Sequence, residues 1–598
     1  MTVAVPDRIL RVDLSAGTVE SEPVPDRWLE RYLGGKGLGV RYLYDAVPAG
    51  ADPLGQENAL LFMSGPLSGL LPGEVRYAAV TKSPLTGTFL DSYSGGEFAS
   101  SLVGALGAHV GVLITGQADE PTVLAVEDGT AELRTRPDLW GSDAVEIDDA
   151  FPDWSVAGIG PAGEHEVHFA TVASDGGDHQ AGRGGAGAVM GAKRLKAVVA
   201  RGERPDALAD LRAEYAERYS EDDTGRWQAA GGTVETIDFA DEVGVLPSRG
   251  WQDGRFEGTD DVGIEAVKAA ATEREREDAA VPGGFRVETE DGDHIPRGAT
   301  PMTLGAGLGI DDFDAVATLG ETCDRLGLDV ISAGNAVAWA VRAGDAGYLD
   351  RSPSFGDGEA ARELIEEIAR REGSLGEALA EGVDAAGERF GGGELIPTVK
   401  SAELPAYDPR GTFGMTLAYA TSDRGACHRR ARPVEVEPFE GEAWTDADRV
   451  EVVYHGQTVR SVLWSLVADD FVGELLWDDL GAEWLRAVGL EYTPTELYRV
   501  GQRVWTLARL FNVREGFDRS DDALPKLFAR PLADGSERER AIDVDRFQSL
   551  LSRYYAARGW SREGIPSEPV LERLDLLGAV DEHTPVAEEP IAPDHGGA

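Results

Sequence analysis

Cysteine is nearly absent from this sequence: 598 residues contain only Cys323 and Cys427. Two thiols cannot furnish the four ligands of an iron–sulfur cluster or a structural zinc from this chain alone, and they cannot build a disulfide framework. Long hydrophobic runs are missing too. The richest candidate, residues 60–71, is broken by Ser64, Gly65, Pro66 and Gly69, whereas a membrane helix needs roughly 18 apolar residues. The first residues, Met1-Thr-Val-Ala-Val-Pro-Asp7, have neither the basic region nor the apolar core of a secretory signal. The expectation is a cytoplasmic protein with no membrane partner.

Basic charge is also scarce. Acidic residues outnumber basic ones 107 to 56, for a formal charge of −51. Such a surface repels phosphate backbones, which excludes nucleic acid as a natural partner. The excess runs along the whole chain, and lysines are few beside arginines. This pattern predicts a halophilic host, where molar salt shortens the Debye length to about 3 Å and screens the self-repulsion. The charge then describes habitat rather than function.

What is present is enough for a large interior: 42% hydrophobic residues and 12 tryptophans, over a length that suits two to four domains. Residues 1–205 are rich in β-formers and glycine turns. Residues 8–14 and 19–24 flank the turn Ser15-Ala-Gly17 as a hairpin, and further strands are expected at 59–63, 77–81, 110–115, 122–127, 167–172 and 196–200. Helical periodicity is scarce in this part. From 206 onward, residues 208–219, 313–326, 333–343 and 360–371 carry apolar residues at helical spacing. A second helical stretch runs from about 446 to 552, after an irregular Arg-, Tyr- and Gly-rich segment at 404–432. The prediction is an α+β multidomain fold: a β-rich base at 1–205, helical domains at 206–402 and 403–584, and a disordered acidic tail at 585–598.

Three glycine-rich segments stand out in the base: Gly34-Gly-Lys-Gly-Leu-Gly39, Ser92-Tyr-Ser94-Gly95-Gly96-Glu97, and Gly182-Arg183-Gly184-Gly185-Ala-Gly187. The last fits G-x-G-x-x-G, with Glu203 about twenty residues on, as a dinucleotide fold asks. Only about two helical turns fit between Ala188 and Leu195, however, and no βαβ series surrounds it, which argues against a nicotinamide site. A backbone cradle with Arg183, and with Arg76 nearby, facing a phosphate-bearing ligand fits better; a structural glycine turn is the alternative. Asp324 sits in the last turn of a predicted helix, where the macrodipole disfavours a carboxylate unless it receives N–H donors, such as those of a pterin ring. Gly327 is read as the C′ residue of that helix and Ser332 as the cap of the next; halophilic acid enrichment would equally place an Asp at 324.

The sequence resembles the aldehyde ferredoxin oxidoreductases from end to end. The resemblance is carried by Val12-Asp-Leu-Ser15, Gly34–Gly39, Ser64-Gly-Pro66, Ser83–Gly87, Gly160-Pro-Ala-Gly-Glu164 and Gly182–Gly191. It continues through Gly327-Leu-Asp329, Tyr407-Asp-Pro-Arg410, Arg424-Gly425, Phe511-Asn-Val-Arg-Glu-Gly516 and Arg558-Gly-Trp560. It implies a tungsten (or molybdenum) bis-pterin held by its own dithiolene sulfurs, with Mg²⁺ bridging the pterin phosphates. Arg76, Ser94, Gly95, Gly96, Arg183, Gly184 and Gly185 would hold pterin and phosphate; Asp324, Gly327, Leu328 and Asp329 would recognise a pterin ring. It also implies oxidation of an aldehyde to a carboxylic acid, a ferredoxin-like acceptor or iron–sulfur subunit, and a homodimer.

The departures are as specific. The family's Cys-x₂-Cys-x₃-Cys falls on residues 278–285, which hold no cysteine, and the segment Trp464-Ser-Leu-Val467-Ala-Asp469 replaces a second Asp-x-x-Gly-Leu-Cys. The usual [4Fe–4S] cluster therefore has no ligands. The family's Gly-Pro-Glu-Tyr-Glu-Thr becomes Gly298-Ala-Thr-Pro-Met302-Thr303, so its active-site glutamate is gone. His428 is the leading candidate to transfer a proton, with a solvent-facing role as the alternative; Tyr407 and Tyr419 are candidates to orient a carbonyl. A catalytically impaired paralogue, acting as a pterin-binding or partner subunit, is the competing reading.

Overall fold

Strand alternation in the base feeds two cores at once. The computed structural model describes residues 5–592 apart from 442 and 533–540. The first sheet contains β1 (Arg8–Asp13), β2 (Thr18–Pro23), β3 (Leu60–Met63), β4 (Tyr77–Lys82), β5 (Phe89–Ser94) and β6 (His109–Thr115) in the order β2-β1-β6-β3-β4-β5. β1 and β2 form the expected antiparallel hairpin, with Arg8 opposite Pro23 and Asp13 opposite Thr18. Every residue of β3, β4 and β5 is buried. Leu60, Phe62, Tyr77 and Ala79 point to one core, while Leu61, Met63, Ala78 and Val80 point to the other. The period of two thus supplies both faces.

The first of those cores is closed by a second sheet. It contains β7 (Thr122–Glu127), β8 (Thr130–Thr135), β9 (Ser155–Gly158), β10 (Val172–Ser174), β11 (His179–Ala181) and β12 (Leu195–Arg201) in the order β11-β10-β9-β12-β7-β8. Leu124, Val126, Val198 and Ala200 meet the first sheet there. The other core is shared with the helical parts, through Leu38, Val40, Trp464, Val504 and Phe511. The base is therefore a slab with a sheet beneath and helices above.

Helices also lie in the base where little helical periodicity is visible, among them Gly35–Ala46, Gly96–Leu106 and Ala186–Ala192. Gly35–Ala46 is buried from Gly35 to Tyr44, and a helix buried all round shows no amphipathic stripe. The first glycine-rich segment is consequently not a loop. A Cβ at Gly37 would stand 2.1 Å from the Tyr32 carbonyl oxygen, so small residues are needed to pack the helix, not a ligand. The strand expected at 167–172 shrinks to Val172–Ser174, because residues 169–171 bond across to another loop instead.

In the helical parts, Ala209–Glu221, Phe313–Leu326, Val330–Asp345 and Gly358–Ala369 match the periodic segments. The long helices Asp446–Leu466, Pro494–Arg514 and Val544–Arg558 build the last part, with the first two packed on Gly35–Ala46. Gly327 takes the left-handed C-terminal position, φ 76° and ψ 45°. The next helix is capped by Asp329, whose carboxylate accepts from the Ser332 N–H at 2.9 Å, not by Ser332 itself. A three-stranded sheet, Ala271–Arg274, Phe285–Glu288 and Asp293–His294, was not legible in the polar sequence. Within the expected disordered tail, the Glu568 N–H bonds to the Ala587 carbonyl and the Ile591 N–H to the Trp560 carbonyl, both at 2.8 Å; residues 593–598 lie outside the described residues. Among the described residues no helix is long and apolar enough to cross a membrane.

Candidate functional site

The segment after β11 forms a tight turn. Arg183, Gly184 and Gly185 follow one another at φ 68°, 79° and 86°, a run that turns successive backbone groups to one side. The Ser83 hydroxyl donates to the Gly184 carbonyl at 2.7 Å, and the Ser92 hydroxyl to the Gly182 carbonyl. A Cβ at Gly185 would lie 2.1 Å from the His168 carbonyl oxygen and 2.6 Å from the Pro84 ring. Gly185→Ala is therefore expected to cost about 3 kcal/mol or more; a guanidinium unfolding midpoint within error of wild type would contradict this.

Arg183 reaches from this turn to the junction of all three parts. Its Nη2 donates to the Glu403 carbonyl at 2.6 Å and the Ala426 carbonyl at 2.8 Å. Its Nη1 makes no hydrogen bond and lies 3.7 Å from Asp329 Oδ2. Among the described residues, Glu403 Oε1, Ser422 Oγ, Arg424 Nε and His428 Nδ1 are also buried polar atoms without hydrogen-bond partners, and Arg183 acts on the Glu403 carboxyl and the His428 ring. Leaving such atoms unpaired costs about 1–3 kcal/mol each. Several such atoms on Arg183, Glu403 and the short stretch 422–428 are what a place built to receive a polar ligand would show.

The segment 404–432 supplies the other wall. Tyr407 sits at φ 53°, and the Tyr419 hydroxyl holds its turn by donating to the carbonyls of Ala406 and, at 3.3 Å, Tyr407. Tyr419 is thus committed to the backbone and is not available to orient a carbonyl. The Tyr407 ring meets the His428 ring edge-on at 6.0 Å, and burial pushes its phenol up to about 12. His428 is held well below its ordinary value by burial and then by Arg432, Arg429, Arg183 and Arg424, so its imidazole stays neutral. Burial alone would raise the Cys427 thiol, but Arg424, which donates to Sγ at 3.2 Å, and Arg430 outweigh it and bring the thiol to about 7.

Most of the remaining predicted residues are engaged by the protein; Ser94 Oγ, buried without a hydrogen-bond partner among the described residues, is the exception. Thr171 N–H donates to the Gly327 carbonyl at 2.8 Å, and Leu328 bridges Ala170, so these two serve the seam between base and helices. The Asp324 carboxylate lies 3.0 Å from His294 Nδ1; burial raises it and His294 opposes that rise. Ser94 is buried at the end of β5, opposite Tyr77. At the start of helix Gly96–Leu106, the N–H groups of Glu97 and Phe98 donate to Asp175 at 2.8 and 3.0 Å. A Cβ at Gly96 would stand 1.8 Å from that carboxylate, and one at Gly95 2.4 Å from Glu74. These two glycines make room for carboxylates of the chain itself. Arg76 is likewise paired, 2.8 Å from both Glu74 and Asp469.

Two family profiles account for nearly the whole architecture. The profile of the aldehyde ferredoxin oxidoreductase N-terminal domain matches residues 9–202, and that of domains 2 and 3 matches residues 210–576. The chain belongs to the aldehyde ferredoxin oxidoreductase family. It is 34% identical to the tungsten-containing aldehyde ferredoxin oxidoreductase of Pyrococcus abyssi, over 95% of this chain and 98% of the relative. Identity to that of Thermococcus kodakarensis is also 34%, over 94% and 98%. The WOR-like subunit of the aliphatic sulfonate oxidoreductase of Pyrococcus furiosus is 27% identical over 95% and 96%. Among solved structures, the active-site complex BamBC of benzoyl coenzyme A reductase with 1,5-dienoyl-CoA has the same fold, with a TM-score of 0.80 at 24% identity over 97% of this chain and 98% of that one.

Against the family pattern, the region of the missing cluster ligands is bridged by charge. From Asp469 the ion pairs run to Arg76 and Glu74 at 2.8 Å each, to His179 at 3.6 Å, to Glu275 at 3.1 Å and to Arg297 at 3.0 Å. Burial alone would raise Glu74, but Arg76, His179, Arg276 and Arg297 hold it at about 2. Carboxylates and guanidinium groups are no set of thiolate ligands, so a conventional iron–sulfur cluster does not fit these residues. Val467, where the family pattern has glycine, keeps the left-handed conformation at φ 55° and ψ 43°; the backbone has outlasted the residue that favours it. Thr300 and Met302 stand where the family segment has its two glutamates; the Met302 sulfur lies 3.7 Å from the Thr236 hydroxyl, beside a cavity of about 20 Å³ that has room for one water.

Sequence reasoning missed Glu403, Ser422, Arg424 and Asp175. No spacing announced them: Ser422 and Arg424 lie in the Arg- and Tyr-rich segment and Glu403 just before it, but which of their atoms are left unpaired is decided only by the fold.

Proposed function

We propose that the protein oxidises an aldehyde to a carboxylic acid at a tungsten or molybdenum bis-pterin lodged where the three parts meet, and passes electrons to an external ferredoxin or iron–sulfur subunit. The observation that carries this reading is the set of buried, unpartnered polar atoms on Arg183, Glu403, Ser422, Arg424 and His428. Arg183 and Arg424 would hold anionic or carbonyl oxygens of the cofactor, and the carboxylate of Asp329 would meet its N–H donors. When bound, such a group takes the two electrons of the oxidation. The neutral His428, free at Nδ1, would hold or pass a proton at the reacting oxygen. Tyr407 closes over that imidazole and stays a phenol, excluding water from one side. Mg²⁺ at the pterin phosphates, a homodimer and a halophilic cytoplasm belong to the same reading.

A second reading, an impaired paralogue that acts as a pterin-binding or partner subunit, is favoured by Asp175 at the helix start, by the pairing of Arg76 with Glu74 and Asp469, and by Met302. Metal and pterin analysis of protein purified from its native host, joined to aldehyde-dependent viologen reduction at high salt, separates the two. Tungsten or molybdenum with pterin, no cluster iron, and turnover are expected. A metal-free, pterin-free protein would refute the enzyme reading; a loaded protein without turnover would favour the paralogue.

A further inference from the structure

Oxidising an aldehyde releases two protons, and the site described so far has one weak acceptor for them. The neutral His428 is held so far below its ordinary value that it binds a proton poorly near pH 7. The segment that carries the family's glutamate holds no carboxylate here, from Gly298 to Thr303. A carboxyl nearby is unaccounted for.

We propose that Glu403 accepts a proton from the reaction, taking over the work of the carboxylate absent at 298–303. Glu403 lies on the short strand Ala402–Glu403 and is 0% exposed. Its Oε2 accepts from the Ser332 hydroxyl at 2.7 Å, while Oε1 has no partner among the described residues. A buried acid with one bonded and one vacant oxygen has its orientation fixed and its reactive atom free. Arg183 Nη2 donates to the backbone carbonyl of Glu403 and to that of Ala426, two residues before His428, so one guanidinium end ties together the backbone that carries the carboxyl and the backbone beside the imidazole. The vacant Arg183 Nη1 stands on the same group. Groups bearing on the acid from each side are Arg183 from the turn after β11, Asp329 from the cap of helix Val330–Asp345, and Asp384, bonded to Thr398 of the strand paired with it. Burial raises the Glu403 carboxyl to about 7 against Arg183 and Ser332, with Asp329 adding to the rise. That places it where a proton acceptor works best in neutral solution.

In the reaction, RCHO and water give RCOOH, two protons and two electrons. The aldehyde C–H bond breaks and a C–O bond forms. The electrons leave for an iron–sulfur protein, or in the assay for two molecules of oxidised viologen, and Glu403 receives one of the protons. The inference rests on the proposed aldehyde oxidation, and its test is arranged to fail separately.

In the loaded protein at high salt, Glu403→Gln keeps an oxygen to accept from Ser332. It is expected to lower kcat by about 10²–10⁴-fold with KM, metal and pterin content unchanged, and to abolish the acid limb of the pH–rate profile near 7. Ser332→Ala removes a hydrogen bond to the charged form, so it should move that limb to higher pH. Infrared difference spectra between pH 5.5 and 8.5 should show a buried carboxyl band that titrates near neutrality and is absent from Glu403→Gln. An unchanged limb with kcat within threefold, or no such band in the wild type, overturns the proposal. Loaded wild-type protein that shows the band but reduces no viologen with any aldehyde overturns the aldehyde reading and, with it, the proton's source.

Discussion

Lys36→Met is expected to cost about 3–5 kcal/mol of folding stability, the scale seen when one partner of a buried ion pair is removed. The Lys36 ammonium is fully buried, 3.2 Å from Asp91 Oδ2 and in direct contact with Asp423. It lies over the rings of Phe89, Trp464 and Trp505 at 4.9–5.7 Å. Arg430 bridges the same two carboxylates from the opposite side. Two negative and two positive charges therefore balance at the seam between the base and the last helical part. Methionine would leave two buried carboxylates to one guanidinium. Molar salt cannot repair this, because screening ions do not reach the interior.

The pH dependence of that loss has a definite sign. Burial alone would raise Asp423, but Arg430 and Lys36 outweigh it and hold the carboxyl well below its ordinary range. A depressed carboxyl contributes stability that is complete above its unfolded value, near 3.9, and fades as pH falls below it. Without Lys36 the depression shrinks, so the acid unfolding midpoint should move to higher pH. Guanidinium titrations at pH 7 and acid titrations at constant salt would measure both. A loss under 1 kcal/mol would mean that the carboxylates are not as buried as described. The double variant Lys36→Met/Asp423→Asn should recover part of the loss, since charge is again balanced.

His428→Ala is expected to lower kcat for aldehyde-dependent viologen reduction by about 10²–10⁴-fold, the range for loss of a positioned proton-transfer group. The stability cost should be that of the lost ring packing against Tyr407, because Nδ1 has no hydrogen-bond partner among the described residues to lose. The raised stability cost of protonating a depressed imidazole predicts more: wild type should lose stability as pH falls below about 6.5, the unfolded value, and the alanine variant should not. Metal and pterin content must be unchanged for the kinetic result to count. A kcat within threefold of wild type, with the cofactor retained, would remove His428 from the reaction.

Much of the fold was legible because the base and the first helical part obey local rules. Strands such as Tyr77–Lys82 and Thr122–Glu127 announce themselves by β-forming residues between glycine turns. Helix Phe313–Leu326 has a three-to-four spacing and a glycine stop. Helix Gly35–Ala46 escaped, since burial on every side erases periodicity. The sheet of residues 271–294 escaped because its residues are largely polar and its pairing is short.

The candidate site divides the same way. Sequence alone determined what this protein lacks: with two cysteines and Met302, neither the cluster nor the family's glutamate can be rebuilt from this chain. It also determined the tight turn at Arg183–Gly185, because successive left-handed residues leave a glycine signature. Only the tertiary structure decided who meets whom. Asp175 takes the helix start beside Gly96, Arg76 turns to Asp469, and Glu403 stands on Arg183 with an oxygen to spare. The reason is physical: backbone conformation is written in neighbouring residues, whereas the partner of a buried charge is chosen by segments hundreds of residues apart that desolvation forces to pair.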